Sequence, residues 1–311
     1  MLATLMAVAL MTVLVMDFAY SANSGFRAAA NQMNELRADY LARSGIQVGL
    51  GLLAQDARND TLSKQAYDGL DEMWATPFPP LPVDGGTASV TIVDDTRKLN
   101  INQVVSANNG QPNQTFIATL SRLFEILGVS PEIVPAIIDW IDPDSQPTQG
   151  GAENDFYLGL MPPYEPRNGP MPTIADLKMI RGVDDATFIR LAQFLTVAPD
   201  SRVNINTAPP EILMAMIPQL ANQTSILQEI MAQRPYHTTS DLNKALSAIT
   251  KSGQGSQGGQ SSQNSQSLFT TQSDYFTITG VGTFAGARTF AYATVRRNGT
   301  GPMLLSYWHE D

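Results

Sequence analysis

Apolar and polar positions change rhythm several times along this chain, and each change marks a predicted element. Met1–Met16 carries no charged side chain and only two threonines, and Asp17 closes the run with Phe18 and Tyr20 at the expected water boundary. As a helix it spans about 24 Å, a little less than the ~30 Å hydrocarbon core of a bilayer. A cleaved signal peptide fits poorly, because neither a basic leading region nor a small-x-small cleavage site is present. Ser24–Ala54 has no proline, and Phe26, Met33, Leu36, Tyr40, Leu41, Ile46, Leu50 and Leu53 recur largely at helical spacing. This predicts one long helix, apolar in its first third and amphipathic beyond; an anchor followed by a separate helix is the simpler alternative. Thr61–Trp74 reads as a further short helix, stopped by the proline-rich Pro77–Val83. Asp84-Gly85-Gly86 is a turn, and Ala88–Val93 alternates as a strand does. A helical stretch runs from Gln103 to about Leu246, and Ser252–Ser267 is a Gly/Ser/Gln tract too polar to order itself. Tyr275–Val281, Thr289–Arg296 and Met303–Trp308 then form a predicted strand meander, with turns at Ala285–Ala287 and Asn298–Gly301.

One phrase occurs twice, as LNINQV at Leu99–Val104 and as VNINTAPPEIL at Val203–Leu213. Behind each copy the grammar repeats: a helix, a break, a second helix, a polar turn and a short leucine-bearing helix. The first set is Thr115–Leu127, Pro131–Trp140 and Ile174–Ile180; the second is Pro210–Met216, Ser225–Ala232 and Thr239–Leu246. An internal repeat of this kind implies two tandem units. Strand-forming residues flank the helical block on both sides, so the block reads as an insert in an α+β body. The expected fold is a pilin-like long N-terminal helix packed on an antiparallel sheet, with a large all-α insert of two helix-hairpin-helix or SAM-like units. The expected boundaries are 1–20 for the transmembrane half of the helix and 21–102 for the first part of the body. The insert takes 103–250, as units of about 103–199 and 200–250, followed by a disordered loop at 251–268 and C-terminal strands at 269–311.

Composition narrows the chemistry. Twenty-nine acidic against 19 basic residues give a net charge of -10 over 311 residues, which argues against a general nucleic-acid or anionic-membrane surface. There are no cysteines and only two histidines, His237 and His309, so thiol catalysis, disulfides and a histidine-rich zinc site are excluded or disfavoured. Carboxylates remain. Asp139, Asp142, Asp144, Glu153 and Asp155 fall within DWIDPDSQPTQGGAENDFY. Counted from Asp142, Asp144 and Glu153 match EF-hand positions, but Pro147 stands where that loop needs glycine. Gly150-Gly151 still allow the chain to turn back, and calcium tolerates irregular oxygen-rich loops. The alternatives are a solvated acidic loop in which Asp139 caps locally, and a paired-carboxylate hydrolase that lacks a sugar platform. The second unit also resembles helix-hairpin-helix modules that bind DNA backbones, but Pro218–Asn222 offers neither glycine nor a basic cluster. Asn100, Asn102, Asn204 and Asn206 are expected to be structural, bonding local backbone at the helix starts.

Taken together, the apolar N-terminal helix, RKLNIN at Arg97–Asn102, DWIDPD at Asp139–Asp144 and GAENDFY at Gly151–Tyr157 resemble one family. PYEPRNGPMPTIADLKMIRGV at Pro163–Val183, FLTVAP at Phe194–Pro199 and VNINTAPPEIL at Val203–Leu213 continue the likeness in order. The family is the large minor pseudopilin of bacterial type II secretion, general secretion pathway protein K. The resemblance implies a non-enzymatic subunit anchored once in the inner membrane, with its bulk in the periplasm. It implies that the subunit initiates the pseudopilus and caps its tip. Implied partners are two other minor pseudopilins in a heterotrimeric tip complex through the N-terminal helix, the major pseudopilin, and the exported substrate or outer-membrane channel. Nucleic acid is not among them. The resemblance also implies calcium in the insert, held by Asp142, Asp144, Glu153 and Asp155 with Asp139 beside them. Two departures are visible: no basic leader precedes Met1, and no acid precedes Asp17, as suits a subunit lacking the glutamate that ordinary pilins carry at the fifth mature position. The rival class is a membrane-anchored helix-hairpin-helix protein of DNA uptake.

Overall fold

A computed structural model describes residues 1–63, 66–238, 240–241, 244, 268–298 and 301–310. The segment without proline is a single helix, α1 (Leu2–Ser63). Its N-terminal part is bare, and burial begins only at Ala38, continuing through Leu41, Ala42, Gly45, Ile46, Gly49, Leu53 and Asp56. That three-and-four spacing is the stripe that faces a sheet.

The sheet holds β1 (Leu81–Val83), β2 (Gly86–Asp94), β7 (Tyr275–Phe284), β8 (Ala287–Asn298) and β9 (Gly301–Glu310), antiparallel in the order β1-β2-β7-β8-β9. Asp84 (φ 47°) with Gly85 (φ 83°), and Ala285 (φ 46°) with Gly286 (φ 90°), make two-residue turns with both residues at positive φ. Such turns match the strand twist and fix the hairpin register. α1 sits very close to β7. A β-carbon at Gly282 would land on the Ala38 carbonyl and one at Gly280 on that of Ala42. Ile46, Leu53, Trp74, Phe276, Ile278 and Val295 fill the space around this seam.

The helix expected over Thr61–Trp74 does not form. α1 continues to Ser63, residues 66–72 run as an irregular strap, and only Met73–Ala75 make a 3-10 turn. The strap finds partners across the molecule instead: Asp68 N donates to Thr271 O (2.8 Å) and Ser273 N to the Asp68 carboxylate (2.6 Å). Tertiary partners override a weak helix propensity.

The helical block enters after Asp95–Arg97 and leaves before β7, at the sheet end opposite both hairpin turns. Its first unit has β3 (Leu99–Asn100), α2 (Gln114–Ile126), α3 (Val134–Ile141), α4 (Asn154–Tyr157), a 3-10 stretch at Ile174–Met179, α5 (Asp185–Leu191) and β4 (Leu195–Thr196). The second has β5 (Val203–Asn204), α6 (Pro210–Met216), a 3-10 turn at Pro218–Asn222, α7 (Thr224–Ala232) and, after residues outside the described set, β6 (Phe269–Thr270). The helices follow the repeat, but each unit is also closed by a two-residue parallel strand pair, β3 with β4 and β5 with β6. Both pairs begin on a NIN phrase.

The asparagines repeat one set of bonds in both units. Asn100 Oδ1 accepts from Asn102 N (3.0 Å), and Asn204 Oδ1 from Asn206 N (2.9 Å). Asn102 then clamps Met171, accepting from its N–H (2.8 Å) and donating to its carbonyl (3.0 Å). Asn206 does the same to Tyr236, at 2.7 and 3.0 Å. The expected local bonding is therefore half of their work; the rest reaches across the unit. Thr173 donating to Asp176 and Thr238 donating to Asp241 extend the equivalence past the clamp. Most of the Thr239–Leu246 helix and residues 251–267 of the expected loop lie outside the described residues.

Candidate metal centre

Among the described residues, the two units differ most between the second helix and the clamp. In the second unit, Gln233–Pro235 suffice to join α7 to Tyr236; in the first, residues 142–170 intervene between α3 and Met171. This loop buries few apolar side chains, chiefly Ala152 and Tyr157. Hydrogen bonds to Asp139, Asn168 and Arg181 hold it as well.

α3 is buried almost throughout and carries Asp139 in its last turn. Asp142 follows as its C-cap, with its N–H on Ile138 O (2.8 Å) and extended backbone that turns the chain outward. Pro143 prevents further helix. Asp144 Oδ1 accepts from Gln146 N (2.8 Å), and Gly150, at φ +86°, starts the return. At Gly151 a β-carbon would collide with the Asp139 carboxylate, so the returning chain passes against that group only because it lacks a side chain there. Glu153 then points inward as the residue before α4.

Asp142, Asp144 and Glu153 each bring one carboxylate oxygen within 4.8 Å of the others. Asp142 is 4% and Glu153 5% exposed, while Asp144 lies at the surface. Asp142 Oδ1 and both Glu153 oxygens are buried without any hydrogen-bond partner. Burial raises the Asp142 carboxyl to about 7, and the charges of Asp144, Asp139 and Glu153 add to the shift. Burial likewise pushes Glu153 and Asp139 upward. Orphaned, mutually repelling carboxylates are costly unless opposite charge arrives, and hard oxygen donors on an irregular loop suit a divalent cation such as calcium.

The other two candidates stand apart. Asp139 is fully buried and receives Thr148 N on Oδ1 (3.0 Å) and Oδ2 (3.2 Å), so it ties the loop together beside the trio. Asp155 is exposed in the first turn of α4 and is not in the group. Neighbours brace the site. Asn168 Nδ2 donates to Asp144 O (3.0 Å), and Arg181 donates to Gly151 O (3.1 Å) while lying 5.0 Å over the Phe156 ring. Trp140 packs edge-on to Tyr157 at 5.3 Å.

A second cluster, unforeseen in the sequence, lies at the root of the insert. Arg297 pairs with Asp56 and Asp68, and Glu72 lies alongside. Beside it Asp94, 1% exposed, accepts from Thr207 (2.5 Å), Ser273 (2.6 Å) and Asn204 (3.3 Å), joining β2, the second unit and the segment between β6 and β7. One signal was available: Arg297 follows Ala291, Ala293 and Val295 at period two, so a charge occupies an inward position of β8.

A long helix seated on an antiparallel sheet, with two closed helical units at one end, is a pilin-like subunit carrying a large insert. Two sequence models of one family, type II secretion system (T2SS) protein K, match residues 97–200 and 203–262, together over half the chain. The chain belongs to this family. The type II secretion system protein K of Pseudomonas aeruginosa is 27% identical over 80% of this chain and 76% of its own length. That of Klebsiella pneumoniae is 28% identical, over 70% and 69% respectively. A chain in the crystal structure of the GspK-GspI-GspJ complex from the enterotoxigenic Escherichia coli type 2 secretion system shares the fold. Its TM-score is 0.74 at 20% identity, covering 91% of this chain and 99% of that one. The two family models meet between the closures of the units.

Proposed function

We propose that the protein is a minor pseudopilin that initiates the type II secretion pseudopilus and caps its tip, anchored in the inner membrane by the start of α1. The position of the insert carries this reading. The apolar run of α1 is 0% buried within the fold and apolar enough to span a bilayer. The body rides further along the same helix, and the insert leaves the body at the end away from that run. A subunit stacked above would meet the insert, whereas the face below is open. The similar complex of GspK with GspI and GspJ supports two other minor pseudopilins as partners; the major pseudopilin lies beneath, and exported substrate or the outer-membrane channel above.

The absence of cysteine makes a direct test clean. Phe26→Cys on α1 and Ile189→Cys on the insert, both at exposed positions, are cross-linked in membranes making the whole apparatus. Cross-links from position 26 to other pseudopilins, with none from position 189, are expected. Equal cross-linking from both would sink the tip assignment.

The metal reading is calcium on Asp142, Asp144 and Glu153, with Asp139 shaping the loop. When bound, the ion supplies the positive charge that the orphaned oxygens lack. Calorimetric titration of the full chain should show saturable binding that is absent from the Asp142→Ala/Asp144→Ala variant; no heat in the chelator-treated wild type would leave the trio an ordinary acidic loop.

A further inference from the structure

The two NIN phrases make the same local bonds but differ in the use of one donor. In the second unit, Asn204 Nδ2 is spent inside the protein, on Asp68 O (3.0 Å), Ser273 Oγ (2.7 Å) and the Asp94 carboxylate (3.3 Å). Asp68 belongs to the strap, and its own N–H donates to Thr271 O (2.8 Å). Both backbone groups of this strap residue are therefore held, one by the asparagine and one by the segment after β6. Its carboxylate accepts from Ser273 N (2.6 Å) and pairs with Arg297.

The first unit has the same frame. Asn100 stands opposite Thr196 in the β3–β4 pair, as Asn204 stands opposite Thr270 in the β5–β6 pair. Each threonine Oγ1 accepts from the N–H two residues on, Ala198 for Thr196 and Gln272 for Thr270, both at 3.1 Å. Val197 thus corresponds to Thr271, and Pro199 to Ser273. Asn100 Nδ2 and Val197 O, however, have no hydrogen-bond partner among the described residues. A cleft of about 680 Å³ lies at this place, lined by Asn100, Val197 and Pro199 and reaching Asn113 and Ser201. No charged residue lines it.

We propose that this cleft binds an extended, uncharged peptide segment of another protein, held as the second unit holds its own strap. Asn100 Nδ2 donates to one backbone carbonyl of the peptide, and Val197 O accepts the N–H of the same residue. Together they match the one donor and one acceptor that each peptide residue carries. Main-chain bonds of this kind supply affinity, while the walls of the cleft select the side chains. Selection against charge follows from Pro199. It has no N–H where Ser273 N holds the Asp68 carboxylate, and no cation lines the cleft as Arg297 lies beside Asp68. An acid at that place in the peptide would lose water without gaining a partner.

Saturation-transfer NMR on the full chain in detergent micelles tests this with two blocked peptides copied from Ala66–Leu70 of the strap. One is acetyl-Ala-Tyr-Asp-Gly-Leu amide, and the other has serine in place of the aspartate. The serine peptide should bind saturably and roughly tenfold more tightly than the aspartate peptide. Asn100→Asp keeps the oxygen that accepts from Asn102 N but removes the donor, so it should weaken the serine peptide by roughly tenfold. Ser201→Trp, at an exposed position on the cleft wall, leaves the NIN bonds untouched and should abolish binding. Absence of saturable transfer from the serine peptide at millimolar concentration would overturn the proposal. So would undiminished binding in Ser201→Trp, a preference for the aspartate peptide, or displacement by an equal concentration of maltotriose, which would make the cleft a site for neutral sugars.

Discussion

Each NIN phrase uses its two asparagines differently, and the difference comes from amide geometry. One carboxamide offers a donor and an acceptor side by side, the complement of one residue's backbone N–H and C=O. Asn206 meets both groups of Tyr236 where all partners are buried. Asn206→Ala should therefore cost roughly 1–3 kcal/mol per orphaned group in chemical denaturation, and Asn102→Ala, in a half-buried clamp, should cost less. In the acidic loop, Asp139 has its oxygens on Thr148, so Asp139→Ala should weaken calcium binding by roughly 10–100-fold without abolishing it. Loss as complete as in the Asp142→Ala/Asp144→Ala variant would make Asp139 a direct ligand. The acidic run itself was plain in the sequence, but which carboxylates meet was not. Glu153 and Asp155 are two residues apart, yet α4 begins between them and turns Asp155 to solvent.

Among the elements, α1 and the strand meander were legible because their patterns are local: three-and-four spacing for one, alternation between turn residues for the others. Their contact was not. The seam depends on Gly280 and Gly282 standing opposite the carbonyls of Ala42 and Ala38, a coincidence of register between remote segments. Gly282→Ala should destabilise the body by about 1–3 kcal/mol or more, since backbone rather than a flexible side chain must move. Thermal unfolding of the full chain checks this; an unchanged midpoint would mean that α1 can lift from β7 freely. The strap shows the opposite failure. Residues 66–72 have enough helical character to suggest a helix, but Asp68 satisfies its polar groups on Thr271 and Ser273, over two hundred positions away in sequence.

For the whole molecule, the insert is two copies of one closed unit, the first enlarged by residues 142–170. That loop has little apolar core of its own, so on the calcium reading the ion is one of its main organisers. Chelation should make limited proteolysis cut within 142–170 first and leave α2 and α6 intact. Simultaneous cleavage of both units would mean that the loop's order does not depend on the ion. The sequence by itself determined the long helix, the repeat, the alternation of the meander and the supply of carboxylates, since these are written in spacing and residue type over a few turns. Tertiary structure alone decided the closure of each unit by its NIN strand, the grouping of Asp142, Asp144 and Glu153, and the pairing of Arg297 with Asp56 and Asp68. Those depend on where distant segments come to lie, and burial then makes each unpaired donor, acceptor or charge there costly enough to matter.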